Sequence, residues 1–307
     1  MEDISYYLPF DQLFEPNKRV YWPYLALCVV YALIFILFTG TKIKRWGMRD
    51  IFSKSSMIDG VAWGLNHLLQ ILVLPLLFTN SLGVASYVYK GMNNWFGDYS
   101  NTYFSANWGL VLYALTYFIF SDFTRFALHY LLHHNAFLWR LHRMHHTAEI
   151  LTPLTFFRIH PFEMVITQIR FLLVHGVITG IFIYFFLEVY DFPKIMGASF
   201  FVFFTAILGG NLRHSHVPIG FGIFEKIFLS PKQHQMHHSK DPALQHSNYG
   251  SFFALWDRMF STWKSSKGIK DIEFGVKQQE KQSLKDDLLF PFLLKRKSES
   301  ASNLERE

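Results

Sequence analysis

The sequence has one cysteine, Cys28, and charged residues make up only 17% of its 307 positions. A single cysteine excludes a disulfide within the chain, a thiolate zinc site and an iron–sulfur cluster. The chain also lacks the HExxH, GxGxxG and HPGG motifs of zinc proteases, flavin or dinucleotide sites and cytochrome-b5-like haem sites. No basic domain or nucleic-acid-binding motif accompanies its net charge of +6, so nucleic acid is not an expected partner.

Apolar residues are abundant, at 51% of the chain, and 19% of all residues are aromatic. The apolar residues fall in blocks at 21–39, 58–87, 108–120 and 164–212, and the last block is broken at the proline-containing acidic stretch 188–194. A bilayer is spanned by about 20 apolar residues in a helix. The blocks therefore predict an all-α integral membrane protein with about four to five transmembrane helices and a helical histidine-containing domain on the cytoplasmic face.

The charged segments predict orientation and domain organisation. The stretch 42–49 is basic without an acidic residue, and such loops favour the cytoplasm. Counting spans from this loop places all the histidine-rich segments on the cytoplasmic side, in a bacterial inner membrane or the endoplasmic reticulum. The stretch 1–19 is acidic and lacks the basic start of a secretory signal.

We expect three parts: N-terminal spans and loops (1–104), a histidine-containing di-metal domain with a transmembrane hairpin (105–265), and a charged C-terminal tail (266–307). Within the tail, the apolar run 288–294 is expected to lie on the membrane or on the di-metal domain. Residues 295–307 are predicted to be disordered.

The fifteen histidines are the main chemical feature of the chain. Eight of them form three sets with helical spacing: His129 and His133; His142, His145 and His146; and His234, His237 and His238. Residues three and four apart share a helix face, so each set can point its imidazoles at one place. A lone histidine is usually a structural or a surface residue, but three sets with this spacing favour a role as metal ligands. Eight imidazoles are too many for one metal and fit two metals with about four ligands each.

Further motifs surround these sets. Asp122 precedes the first set, and Ser230 and Pro231 predict the start of the helix that carries the third. The other motifs are FRIHPFE (157–163), NLRHSHVP (211–218), SPKQHQMHHS (230–239), SNYG (247–250) and WDRMFST (256–262). In this order, the motifs resemble the fatty acid hydroxylase/sterol desaturase superfamily of membrane di-iron enzymes over residues 105–265. Two positions depart from that pattern: His216 stands where asparagine is common, and Ser261 where glycine is common.

The resemblance implies a di-iron enzyme that uses O₂ to hydroxylate or desaturate a lipid C–H bond. It adds His214 as a ninth ligand, because related enzymes place a metal-binding histidine in that motif. The residues expected to support the ligands are Asp122, Arg158, His160, Asn248 and Asp257. Five arginines lie near the motifs: Arg125, Arg140, Arg143, Arg158 and Arg213. We interpret them as interface anchors. Alternatively, they hold a lipid head group or the carboxylates of Asp122, Glu163 and Asp257. His134, His216 and His246 are weaker ligand candidates, and His175 is expected to be structural.

The expected cofactor is two iron ions, although isolated protein could carry zinc, which lies above iron in the affinity order. The chain has no redox-cofactor motif, so we expect an external electron donor of the ferredoxin-like or cytochrome b5/reductase type, and a membrane lipid as substrate. Two other functions fit the same histidines: a zinc-dependent membrane hydrolase or lyase, and a metal transporter. The transporter is disfavoured because the histidines group near one interface and do not line successive depths of the spans.

Overall fold

The computed structural model describes residues 12–16, 18–40, 48–99, 106–186, 196–277 and 283–293. Within these ranges the chain is helical, and its only strand-like pairings are two isolated β-bridges, which confirms the predicted all-α class. The α-helices are α1 (Trp22–Thr39), α2 (Met48–Ile51), α3 (Lys54–Phe96), α4 (Ala106–His134), α5 (Ala136–His146), α6 (Pro161–Phe186), α7 (Met196–Ile207), α8 (Pro231–His237), α9 (Pro242–Gln245), α10 (Leu255–Met259) and α11 (Leu284–Leu293). Short 3₁₀ segments cover Pro153–Phe157, Gly210–His214 and Gly222–Lys226.

Three described helices are long and apolar enough to cross a membrane: α1, the Trp108–His134 part of α4, and α6. At 1.5 Å per residue, the shortest of them is about 27 Å long, close to the hydrocarbon core of about 30 Å. On α1, Leu37 and Phe38 are 81% and 87% exposed, as expected for side chains that face lipid. By their length and composition these helices indicate an integral membrane protein, and the fuller count of about four to five spans stays a prediction.

Several predicted segments lie outside the described residues. They are most of the stretch 1–19, most of the basic loop 42–49, the acidic turn 188–194 and the tail 295–307. The orientation inferred from the basic loop therefore also stays a prediction.

The helices α3 and α6 run in the same direction and pack closely. Asn66 of α3 donates a hydrogen bond to a carbonyl just before α6 begins, and Ala85 lies beside Gly180 near the far end of α6. A Cβ built on Gly176 would lie 2.8 Å from the Ser81 carbonyl oxygen, and one built on Gly180 would lie 2.5 Å from that of Ala85. Two glycines one turn apart thus permit an approach that larger residues would block, as is common between membrane helices.

The helix α4 runs antiparallel to α6. The Tyr113 hydroxyl lies 3.1 Å from the Thr179 hydroxyl, and the Arg170 guanidinium donates to the Thr124 hydroxyl at 2.9 Å. Because α4 returns along α6, its C-terminal histidines lie at the end of the helical stack where α6 begins.

The helix α3 is long enough to leave the stack at that same end. Its 43 residues extend about 64 Å at 1.5 Å per residue, roughly twice the hydrocarbon thickness. Near its start, the Asp59 carboxylate accepts hydrogen bonds from the hydroxyls of Thr152 at 3.0 Å and Thr155 at 2.5 Å. The first turns of α3 therefore brace the segment that links α5 to α6.

The chain turns sharply between α4 and α5 at Asn135. Its side-chain oxygen caps α5 by accepting from the backbone N–H groups of Phe137 and Leu138, both at 3.0 Å. This break folds α5 back over α4, so that His142 comes to lie beside His129.

The start of α8 follows the sequence signal. Ser230 and Gln233 form a reciprocal capping box, with Pro231 in the first turn. The start predicted from Ser230 and Pro231 is confirmed.

Candidate metal centre

Nine buried or half-buried histidines converge in two groups. The first group contains His129, His133, His142, His146 and His237; the second contains His145, His214, His234 and His238. Within each group, one ring nitrogen per histidine lies within 4.8 Å of those of the others. The structure thus brings together all nine histidines that the sequence and the resemblance indicated.

The four-histidine group has the spacing of a metal site. The Nε2 atom of His214 lies 3.2 Å from those of His145 and His238 and 3.1 Å from that of His234. The His234 and His238 Nε2 atoms are 3.2 Å apart. Four nitrogens at about 2.0–2.1 Å from one tetrahedral ion would be roughly 3.3 Å from each other. These residues therefore fit a metal ion.

The five-histidine group fits a metal ion on different grounds. The Nε2 atoms of His129 and His142 are 3.2 Å apart. Within the part of the chain that the structure describes, neither ring nitrogen of His133 or His146, nor Nε2 of His237, has a hydrogen-bond partner. Buried polar atoms are normally satisfied, and imidazole nitrogens that converge without donors between them suit a cation.

The helix α4 supplies one histidine group, whereas α5 and α8 each supply histidines to both groups. One turn of α4 supplies His129 and His133 to the five-histidine group. On α5, His145 belongs to the four-histidine group and its neighbour His146 to the five-histidine group, because successive side chains of a helix point about 100° apart. On α8, His237 belongs to the five-histidine group, whereas His234 and the C-cap residue His238 belong to the four-histidine group. Each group is therefore assembled from at least three separate chain segments.

Three of the imidazoles in the five-histidine group are oriented through Nδ1. The Nδ1 atom of His142 lies 2.8 Å from the Glu163 carboxylate, that of His129 lies 2.8 Å from the Tyr249 carbonyl oxygen, and that of His237 lies 3.0 Å from the Ser247 carbonyl oxygen. An Nδ1–H donor to these oxygens leaves Nε2 unprotonated and directed into the group. This is the usual way in which a protein fixes the tautomer and ring plane of a metal-binding histidine.

Two of those oxygens belong to one loop, residues 247–253, and Asp257 holds its first half. Its buried carboxylate accepts from the backbone N–H groups of Tyr249 at 2.7 Å and Gly250 at 2.8 Å, and from the Thr262 hydroxyl at 2.6 Å. Burial nevertheless raises the pKa of Asp257 to about 6, against the lowering effect of these hydrogen bonds. Asp257 thus acts on the histidines through the loop, without touching them.

Asp122 holds the second half of the same loop. It accepts from the backbone N–H groups of Phe252 at 2.8 Å and Phe253 at 3.0 Å, and from the Trp256 indole at 2.8 Å. Because Asp122 lies on α4, the loop is tied to the helix that carries His129.

Asn248 sits inside the loop in the left-handed region, with φ of 60°. Its side-chain oxygen accepts from the Lys264 backbone N–H at 2.9 Å, and its amide donates to the Gln233 carbonyl at 3.5 Å, which links the loop to α8. Asp122, Asn248 and Asp257 thus support the position of the loop and, through it, the orientation of two histidines.

Arg158 and His160 have different surroundings from those the sequence suggested. Arg158 is fully buried and pairs with Asp59 at 3.4 Å and Asp287 at 3.3 Å, and not with Asp122, Glu163 or Asp257. The His160 Nε2 atom donates to the Leu288 carbonyl at 3.1 Å. Both residues contact the C-terminal helix α11, which came from a part of the sequence interpreted as a tail.

Glu163 was identified in the sequence only as a carboxylate that an arginine could hold. The structure gives it a direct contact with His142 instead. Its position three residues after His160, within FRIHPFE, was the available signal. Spacing along one helix cannot reveal a partner on another helix, so the pairing with His142 could not be predicted from the sequence.

The remaining histidines lie outside both groups. His134 stacks on Tyr130, the His216 Nε2 atom accepts from the Leu151 backbone N–H at 3.2 Å, and His175 packs against Tyr117 and Phe171. His246 lies at the edge, with its ring 6.0 Å from that of His133.

Among the arginines, Arg213 is buried and donates to the Leu229 carbonyl at 3.3 Å. Arg143 lies 3.6 Å from Asp287.

The electrostatics of the site favour neutral imidazoles. Burial lowers the pKa of His142 and of His145 to about 3, with neighbouring histidines adding to the shift for His145. Burial also holds the pKa values of five other histidines well below the usual range: His146, His214, His234, His237 and His238. At pH 7 these side chains keep a lone pair for a metal ion.

Comparisons with known proteins find a matching family model and several relatives named as enzymes of lipids. The family model described as fatty acid hydroxylase matches residues 114–262. The chain is 25% identical over 206 residues to the ornithine lipid hydroxylase of Rhizobium tropici, covering 66% of this chain and 57% of that protein. It is 28% identical over 164 residues to the alkylglycerol monooxygenase of Caenorhabditis elegans, covering 52% and 29%. It is 24% identical over 200 residues to the lathosterol oxidase of Rattus norvegicus, covering 62% and 58%.

The chain thus spans less than two thirds of the length of each of these relatives. No solved structure gives a significant match.

Proposed function

The chain belongs to the fatty acid hydroxylase/sterol desaturase superfamily, and from that premise we propose that it is a membrane oxygenase that hydroxylates or desaturates a lipid C–H bond. The reaction would use O₂ and two electrons from an external donor. The observation that carries this proposal is the convergence of nine histidines into two groups with the spacing and protonation of metal sites. The matched relatives include a hydroxylase, a monooxygenase and an oxidase named for lipids, which supports the same reaction class.

We assign one iron ion to each group, held by His129, His133, His142, His146 and His237 on one side and by His145, His214, His234 and His238 on the other. When bound, the two irons supply the activation of O₂ that oxidation of an unactivated C–H bond requires. All-imidazole ligation without thiolate also suits zinc or copper, so the donor set alone does not select iron. Membership of the family favours iron.

The residues of the chain have separable tasks in this scheme. Glu163 and the carbonyls of Ser247 and Tyr249 hold three imidazoles with Nε2 directed inward. Asp122 and Asp257 fix the loop that presents the two carbonyls. Burial excludes water and keeps the imidazoles neutral, so that no proton has to leave before a metal binds.

The substrate that fits the structure is a membrane lipid. The apolar spans give a lipid access from the bilayer, and an apolar cavity of about 360 Å³ lies between α1 and the segment that precedes His214. Tyr31 and Phe35 of α1 line it, together with Leu212 and with Pro231, the first residue of α8. We propose that part of an alkyl chain occupies this cavity.

The electron donor is proposed to be a separate ferredoxin-like or cytochrome b5/reductase-type protein, since the sequence has no haem, flavin or iron–sulfur motif. With the basic loop 42–49 in the cytoplasm, the histidine end of the stack would also face the cytoplasm, where such donors are found.

The test is O₂ uptake by detergent-purified protein loaded with ferrous iron, supplied with a reductase and donor and with mixed membrane lipids. We expect lipid-dependent uptake and a product 16 mass units heavier (one oxygen atom) or 2 lighter (two hydrogen atoms). Protein with His145 and His146 changed to alanine should show neither. Lipid cleavage by the zinc form without O₂ uptake would instead establish the hydrolase or lyase, and metal flux into liposomes would establish the transporter.

A further inference from the structure

The C-terminal helix α11 lies beyond the residues that the family model matches, yet it reaches the candidate metal centre. We propose that Asp287 of α11 is a positioning residue that holds the last turn of α5 in the geometry required for metal binding. This inference rests on the proposed function only in requiring that the histidines bind metal ions.

Asp287 contacts α5 on both sides of its adjacent histidines, His145 and His146. One carboxylate oxygen accepts from the Thr147 hydroxyl at 2.9 Å, and the other lies 3.6 Å from the Arg143 guanidinium. Arg143 and Thr147 flank the two histidines in sequence. A shift of Asp287 would therefore move the backbone turn that carries them.

Asp287 also reaches the same turn through Arg158. The Arg158 guanidinium is fully buried, donates to the Met144 carbonyl at 3.1 Å and lies 3.3 Å from Asp287. Its other acidic partner is Asp59 of α3, at 3.4 Å. A buried cation needs close compensation, so neutralising Asp287 would leave Arg158 to redistribute toward Asp59 and away from Met144.

The helix α11 is itself anchored beside Asp287. The next residue, Leu288, accepts at its carbonyl from His160 at 3.1 Å, and the Phe290 ring lies 4.3 Å below the Arg143 guanidinium. These contacts fix the carboxylate relative to α5.

The placement of α5 makes this support consequential. His142 and His146 belong to the five-histidine group, whereas His145 belongs to the four-histidine group. A displacement of α5 would change both groups and the distance between them. Supporting residues of metal ligands typically contribute 10–100-fold to metal affinity.

The test compares Asp287→Asn with Asp286→Asn, because Asp286 is the adjacent, exposed acid on the same helix. Metal-free protein is titrated with Co²⁺ in detergent, and binding is followed by the visible spectrum, which reports ligand geometry, and by metal content. We expect roughly 10–100-fold weaker Co²⁺ binding and an altered spectrum in Asp287→Asn, with Asp286→Asn matching the unmodified protein. Thermal unfolding of the metal-free variants measures general stability separately.

A second variant, Thr147→Val, removes the hydroxyl at the other end of the contact without changing the charge. It should weaken Co²⁺ binding in the same direction. Unchanged Co²⁺ binding in Asp287→Asn would overturn the inference. So would weaker binding that merely followed a lower unfolding temperature, with an unchanged spectrum and normal binding in Thr147→Val. If the unmodified protein bound no Co²⁺ at all, the metal centre itself would be refuted, and the inference with it.

Discussion

Replacement of Glu163 tests how the protein orients its ligands. The Glu163 carboxylate lies 2.8 Å from Nδ1 of His142, and both side chains are 5% exposed. In Glu163→Gln, an amide oxygen can still accept from the imidazole, but its charge is gone. In Glu163→Ala, the imidazole N–H is buried without an acceptor.

The magnitudes follow from the type of contact. A hydrogen bond to a charged group is worth about 1.5–3 kcal/mol and a neutral one about 0.5–1.5 kcal/mol. Glu163→Gln should therefore cost about 1 kcal/mol of metal binding, roughly fivefold in affinity. Glu163→Ala should cost about 2–3 kcal/mol, roughly 30–150-fold.

The assay is competition for Co²⁺ or Fe²⁺ with a chelator of known affinity, using Glu273→Gln as the control because Glu273 is exposed. The ordering unmodified, Gln, Ala is the expected result. Equal affinity in all three proteins would refute the role of the carboxylate. A Gln variant as weak as the Ala variant would show that charge, and not the hydrogen bond, carries the effect.

Three further predictions test the supporting structure. Asp257→Asn should lower the free energy of unfolding at pH 7.5 by about 1–3 kcal/mol, because the loop 247–253 loses its charged hydrogen bonds to Asp257. Chemical denaturation of the metal-free protein measures this change. Because burial raises the pKa of Asp257 to about 6, above about 3.9 in the unfolded chain, the folded state binds the extra proton between these values. The stabilisation from this proton is complete below about pH 4 and is lost as pH rises through about 6. The free energy of unfolding of the unmodified protein minus that of Asp257→Asn should therefore fall between about pH 4 and pH 6, because the opposing contribution of the buried histidines is common to both proteins. Gly180→Val should lower the thermal midpoint in detergent, because its Cβ would meet the Ala85 carbonyl oxygen at 2.5 Å, whereas Gly91→Ala, with open space around it, should not.

The histidines could be predicted from the sequence because the information is local. Helical spacing places i, i+3 and i+4 residues on one face, which identified eight of them, and the family motif added His214. Their division into five and four could not be predicted in this way. It depends on the turn at Asn135 and on how α5 and α8 approach α4, which are properties of the packed structure.

The supporting residues show the same limit. The sequence predicts that Arg158 supports the ligands, but its acidic partners in the structure are 99 and 129 residues away in the chain. Nothing in the spacing of charged residues connects Asp59 or Asp287 to it. The apolar run of the C-terminal segment is evident in the sequence, whereas its docking through the buried Asp287 carboxylate depends on the packed structure.

One departure from the family pattern has a backbone explanation. Ser261 stands where glycine is common, and its φ is 60°, in the left-handed region that glycine adopts most easily. The unusual residue was visible in the sequence, but the conformation that makes glycine usual there was visible only in the structure.

The central claim is that the two histidine groups hold two metal ions. Its most direct test is metal content per chain after iron loading under anaerobic conditions and removal of excess metal. The account predicts two irons in the unmodified protein. Replacement of His214 and His234 by alanine should remove the iron of the four-histidine group. Replacement of His133 and His237 by alanine should remove the iron of the five-histidine group. One iron or none in the unmodified protein, or full iron content in both variants, would contradict it.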